Sequence, residues 1–140
     1  MRSIGFDLGS KTVGVAVSDA LGMLARPVKT IRFPEDDYET ALKMVIDEIK
    51  KNEADRVILG LPKHMNGDIG IRGEISLMFK DMLMEKIDNE IILWDERLTT
   101  RSAERMLINA NMRRDKRKKV IDQAAAVGIL QGYLDSQRNK

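Results

Sequence analysis

Cysteine is absent from the 140-residue chain, and histidine occurs once. The first absence removes disulfides and thiolate nucleophiles. The second removes a clustered zinc site. No apolar run reaches the roughly 20 residues that span a bilayer, and the N-terminus lacks the apolar stretch of a secretory signal. The sequence therefore predicts a cytoplasmic protein with no membrane partner. Strong net charge is missing as well. With 24 Lys and Arg against 22 Asp and Glu, the chain carries +2, so the total names no partner and only the placement of the bases can. What is there is 43% hydrophobic residue, too much for a disordered chain. A chain of this length suits one domain with a real core.

The organising stretch is Ile4–Asp19. Two short apolar runs, residues 3–8 and 12–18, flank Gly9-Ser10-Lys11 and read as a β-hairpin. A third strand is expected from Met23 to Arg32, irregular around Pro27 and hence at an edge. After the turn Phe33–Asp37, residues Leu42, Val45, Ile46 and Ile49 recur at helical spacing. Arg56–Gly60 is a continuous apolar run, the mark of a central parallel strand. The loop Leu61–Gly70 leads to a second helix, with Ile71, Ile75, Met78, Phe79 and Met82 as its apolar stripe; Met78 and Met82 read as core filling. Glu90–Trp94 is a fifth strand, and Trp94 reads as core. Thr99 or Thr100 would cap a helix reaching about Ile108. Residues 109–119 read as a basic, mobile loop. A final helix, Val120–Leu134, is apolar nearly all round, with Ala125, Gly128 and Gly132 allowing close approach to the sheet. The order predicts a single α/β domain over 1–140, a mixed five-stranded sheet with helices on both faces.

Asp7 is the first candidate for chemistry. Ile4, Phe6 and Leu8 face one way, Gly5 and Asp7 the other. A carboxylate in a core strand is costly unless paired or metal-bound. Gly5, Gly9 and Gly14 clear side chains around it, which suits a ligand or a close turn. The plainer role is a turn aspartate bonded to the Gly9–Ser10 amides. Asp95 and Glu96 follow the fifth strand, at the edge where such sheets bind ligands. Either one can serve as a ligand, and Glu96 can instead pair with Arg97. Asp122 can simply cap the last helix. Among the bases, Lys11, Lys63 and Arg97 lie by the same edge. Arg113, Arg114, Lys116, Arg117, Lys118 and Lys119 form a cluster just ahead of Asp122. They suit backbone-phosphate contacts, although charge runs are usually solvated loops. His64 is a poor ligand for a hard ion.

Four blocks then stand in order over nearly the whole chain: Gly5–Asp19, Gly60-Leu61-Pro62-Lys63-His64-Met65-Asn66-Gly67, Asp95-Glu96-Arg97-Leu98-Thr99-Thr100, and Ile121-Asp122-Gln123-Ala124-Ala125-Ala126. Together they resemble the bacterial YqgF-type family, Holliday-junction-resolvase-like proteins described as pre-16S rRNA nucleases with a ribonuclease H-like fold. The resemblance implies strand order 3-2-1-4-5 and an acidic triad of Asp7, Glu96 and Asp122. One difference from the well-known junction resolvases stands out. They carry the second acid near the end of the fourth strand, where this chain has Gly60-Leu61-Pro62.

Three carboxylates at the top of a sheet suit hard divalent ions, Mg2+ or Mn2+. Two ions about 4 Å apart serve both the attacking water and the leaving oxygen of a phosphodiester. Such a site needs no side-chain nucleophile, in keeping with the missing cysteine. Without metal the acids would repel, and at least one would tend to protonate. The expected function is a metal-dependent nuclease on structured nucleic acid, most of all 5′-end processing of precursor 16S ribosomal RNA, by a monomer or weak homodimer. Junction DNA cleavage and a non-catalytic RNA-binding assembly factor are the alternatives. Asp7-Leu8-Gly9 also resembles the first phosphate loop of actin-like and sugar-kinase ATPases, but the chain has neither their second loop nor their length.

Overall fold

The computed structural model describes residues 2–64, 66–96 and 114–138, the side chains of 114–122 excepted. The strands are β1 (Ser3–Leu8), β2 (Thr12–Ser18), β3 (Ala25–Arg32), β4 (Arg56–Leu61) and β5 (Glu90–Asp95); the helices are α1 (Tyr38–Lys51), α2 (Ile71–Met84) and α3 (Arg114–Arg138). The sheet runs β3-β2-β1-β4-β5, the order the resemblance implied. β1, β2 and β3 form an antiparallel meander, while β4 and β5 run parallel to β1 and to each other. The expected helix near Thr99–Ile108 falls outside the described residues. No helix among the described residues is long and apolar enough to cross a membrane.

Strand alternation sorts residues between two faces. Ile4, Phe6 and Leu8 pair with Val17, Val15 and Val13, and Ile4 and Phe6 also with Val57 and Leu59. All eight are buried against α1 and α2 in one cluster that includes Leu42, Val45, Ile49, Phe79 and Leu83. α1 begins at Asp37, whose side chain accepts from the Thr40 amide, an N-cap of the ordinary kind. The opposite face carries Gly5, Ala16 and Ile58 and is covered by Ala126, Ile129, Leu130, Tyr133 and Leu134 of α3. Gly5 is filled by this packing, not by a ligand. A Cβ there would lie 2.9 Å from Leu130 Cβ and 3.3 Å from the Ala126 carbonyl. The closest approach of helix and sheet thus depends on a glycine in the strand.

Three expectations are corrected. β3 starts at Ala25, because Met23 and Leu24 donate their amides to Asp19 Oδ1 in a tight turn. The edge strand does slip register, with Val15 opposite Lys29 but Ala16 opposite Pro27. On α2 the buried residues are Gly73, Ser76, Phe79 and Leu83, while Ile71 and Met78 are 77% and 43% exposed. Met78 is therefore not core filling. The helix is turned by its first residues: a Cβ on Gly73 would meet the Pro62 carbonyl at 2.7 Å and Ile69 Cγ2 at 2.4 Å, so the loop leaving β4 packs where only glycine fits. Finally, α3 starts at Arg114, so the helix takes in Arg114–Lys119, placed in a loop by the sequence reading. Lys and Arg are good helix formers, and no Gly or Pro interrupts this run.

Candidate active site

One row across the sheet sets the site. Asp7 pairs with Gly14, and Gly14 with Thr30. On the other side Gly60 pairs with Trp94. Carried one residue past Phe6–Leu59, the β1–β4 register sets Asp7 beside Gly60. Asp7 thus stands on the central strand with glycine on both neighbours, on the α3 face. The two buried side-chain polar atoms without a hydrogen-bond partner among the described residues, Thr30 Oγ1 and Trp94 Nε1, lie in this same row. Trp94 itself is half-buried against Tyr133, edge to face at 6.3 Å, as the core reading expected.

Glu96, immediately after β5, folds back over Gly60. A Cβ on Gly60 would lie 2.4 Å from Glu96 Oε1 and 2.5 Å from Ile129 Cδ1. The missing side chain is what admits the carboxyl. Burial, a side-chain hydrogen bond with Asp7, and the charges of Asp7 and Asp95 push the Glu96 carboxyl up from 4.5 to about 9, against the opposing pull of Arg72. Glu96 therefore holds its proton well above the usual carboxylate range, in the hydrogen bond it shares with Asp7. This is the protonation expected of crowded carboxylates without a cation. Asp95 lies to the side, its Oδ2 3.9 Å from Lys63 Nζ.

The acids fit a hard cation chemically. They are oxygen donors held together with surplus negative charge, one of them retaining a proton that a cation would displace. Among the described residues no group of three or more Asp, Glu, His or Cys gathers as a cation site. Asp122 lies in α3, one turn before Ala126, and its side chain is outside the described residues. α3 runs antiparallel to β4, since Ile129 meets Gly60 at the end of that strand while Tyr133 accepts from Arg56 at its start. Its N-terminal half therefore points toward the edge that holds Asp7 and Glu96.

The bases are placed unequally. Lys11 is exposed in the hairpin loop, which is held by Phe33 and Asp36 amides donating to the Lys11 and Ser10 carbonyls. Lys63 is paired with Asp95. Arg97 and Arg113 fall outside the described residues; Arg114, Lys116, Arg117, Lys118 and Lys119 occupy the first turns of α3, with their side chains outside the description. His64 is exposed, its ring against Gly70 at the start of α2. The sequence reading missed Arg72. It donates to the Leu8 carbonyl at 3.1 Å and the Tyr38 hydroxyl at 3.4 Å. An arginine in a first helical turn, against the helix dipole, was the available signal.

Comparison with known proteins agrees with this fold. A family model described as RuvX, Holliday junction resolvase, matches residues 1–136. A protein of Staphylococcus carnosus is 54% identical over 136 residues, 96% of each chain. One from Oceanobacillus iheyensis is 54% identical over 137 residues, covering 98% of this chain and all of the other. Both are named "Putative pre-16S rRNA nuclease". Among solved structures, T. thermophilus RuvC in complex with a Holliday junction substrate aligns with a TM-score of 0.67 at 10% identity, over 100% of this chain and 97% of that one. At that identity the likeness establishes the fold, which is ribonuclease H-like.

Proposed function

The chain belongs to the RuvX Holliday-junction-resolvase family, and from that premise we propose that it is a metal-dependent nuclease that hydrolyses phosphodiester bonds in structured RNA, namely the 5′-end processing of precursor 16S ribosomal RNA in the cytoplasm. The observation that carries the chemistry is the pairing of Asp7 with Glu96 over Gly60. The RNA substrate is drawn from the names of relatives that align end to end with this chain.

Asp7, Glu96 and Asp122 are the residues that would hold Mg2+ or Mn2+, as a pair of ions. When bound, the ions supply Lewis acidity and charge neutralisation for phosphodiester hydrolysis. Asp7 is fixed by the central strand. Glu96 would give up its proton on holding a cation, and Gly60 leaves its carboxyl room. Asp95 keeps Lys63 at the rim. The basic first turns of α3, Arg114 and Lys116–Lys119, together with Arg113, Lys11 and Arg97, contact the nucleic-acid backbone without reading sequence.

Cleavage of end-labelled precursor ribosomal RNA, single-stranded RNA and four-way DNA junctions tests this, with Mg2+ or Mn2+ and native protein beside Asp7→Asn. Cutting of the precursor, reduced about 1000-fold or more in the variant, is the expected result. Preferred cutting of the DNA junction would replace the substrate. Absence of cutting in every lane, or equal cutting by both proteins, would overturn the nuclease and leave an RNA-binding assembly factor.

A further inference from the structure

Arg72 is the second residue of α2, where a cation opposes the helix dipole. Its side chain leaves the helix and reaches the end of β1. One Nη donates to the Leu8 carbonyl at 3.1 Å and the other to the Tyr38 hydroxyl at 3.4 Å. Both acceptors are neutral, so these bonds orient the guanidinium without neutralising it. They engage two of its five N–H groups. Tyr38 is itself fixed, its ring 5.9 Å from that of Phe33 and its hydroxyl 3.3 Å from Asp36 Oδ1. Leu8 directly follows Asp7, and the Arg72 charge is felt at Glu96. Half-buried Arg72 thus lies beside the carboxylates on the side away from α3.

The other cations described at this edge are differently placed. Lys63 faces Asp95 at 3.9 Å, and Lys11 is exposed on a loop. A phosphodiester approaching Asp7, Asp95 and Glu96 meets negative charge. A cation already oriented at that edge offsets it with little side-chain freedom left to lose. The planar fork of a guanidinium also matches two oxygens of one phosphate, as an ammonium does not. We infer that Arg72, clamped by the Leu8 carbonyl and the Tyr38 hydroxyl, contacts a backbone phosphate next to the scissile bond. This rests on the nuclease reading and adds a substrate contact to it. The competing role is a structural tie between α2 and β1.

Binding separates the two. A fluorescein-labelled hairpin RNA is titrated in EDTA across a salt series, with native protein, Arg72→Gln and Arg72→Lys, and thermal midpoints are recorded for each. Glutamine keeps a polar amide without the charge, and the thermal midpoints show whether the fold survives. Arg72→Gln should bind about tenfold more weakly and lose about 0.7–0.9 from the slope of log K against log salt, one phosphate contact. Arg72→Lys should restore the slope but not the full affinity. Native-like affinity and slope in Arg72→Gln would make Arg72 a structural tie, whatever its thermal midpoint. If Arg72→Gln unfolds, Tyr38→Phe decides: the charge remains, so about threefold weaker binding at unchanged slope is expected, and native affinity overturns the inference. Absence of salt-dependent binding by the native protein would overturn the nuclease reading and this contact with it.

Discussion

The same five strands present two unlike faces. Toward α1 and α2 they offer Ile4, Phe6, Val13, Val15, Val17, Val57 and Leu59, all buried in one cluster. Toward α3 the same strands offer Gly5, Asp7, Gly14, Ala16 and Gly60. The first face gains stability from large branched side chains. The second gives up that volume in two ways. At Gly5 it lets a helix come down onto the strand, and at Gly60 it leaves room for the Glu96 carboxyl. Among the described residues, the buried side-chain polar atoms without partners, Thr30 Oγ1 and Trp94 Nε1, fall on the second face. Large branched strand side chains dominate one side of the sheet, and the Asp7–Glu96 carboxyl pair lies on the other.

Substitutions on the two faces should therefore differ in kind. Phe6→Ala, at a fully buried position, should cost about 3–5 kcal/mol of stability. Chemical denaturation would measure this, and any loss of cleavage should follow the loss of folded protein. Gly60→Ala should do the reverse. The new methyl collides with the flexible end of Glu96 and with Ile129 Cδ1, which can move, so the thermal midpoint changes little. The displaced carboxyl should lower single-turnover cleavage by about 10–100-fold. If Gly60→Ala unfolds the protein instead, the glycine serves packing, and the division between faces fails at that point.

A further effect lies in pH. The folded-state value of Glu96, about 9, is above its ordinary 4.5. Its contribution to the stability of metal-free protein is therefore complete below about 4.5 and is lost as pH rises toward 9. Thermal midpoints in EDTA should decline over that window, and Glu96→Gln should flatten the decline. On the opposite face the buried carboxylate Glu48 is engaged by Lys29 at 2.7 Å.

Much of this was legible in the residues. Alternation placed Ile4, Phe6 and Leu8 opposite Asp7, and the continuous runs at Arg56 and Glu90 marked parallel strands. Asp7 stood out because its chemistry conflicts with its strand. The stripe on α2 held at Ile75, Phe79 and Met82 but misled at Ile71 and Met78, since periodicity finds an apolar face but not the loop contact that turns Gly73 inward. Gly60 read only as a strand end, because the carboxyl above it comes from a residue 36 positions away. Arg72 was overlooked because its partners, Leu8 and Tyr38, lie 64 and 34 residues distant. Local patterns encode which residues face inward; contacts across elements decide what a given gap is for.

The most direct measurement is calorimetric titration of Mn2+ into native protein near pH 7, in two buffers of different ionisation enthalpy. Glu96 retains its proton at that pH, and a carboxylate must lose its proton to hold a metal ion. The expected result is release of about one proton per protein in the native form and none in Glu96→Gln. Binding without proton release, or equal release by both proteins, would contradict a metal site built on the Asp7–Glu96 pair.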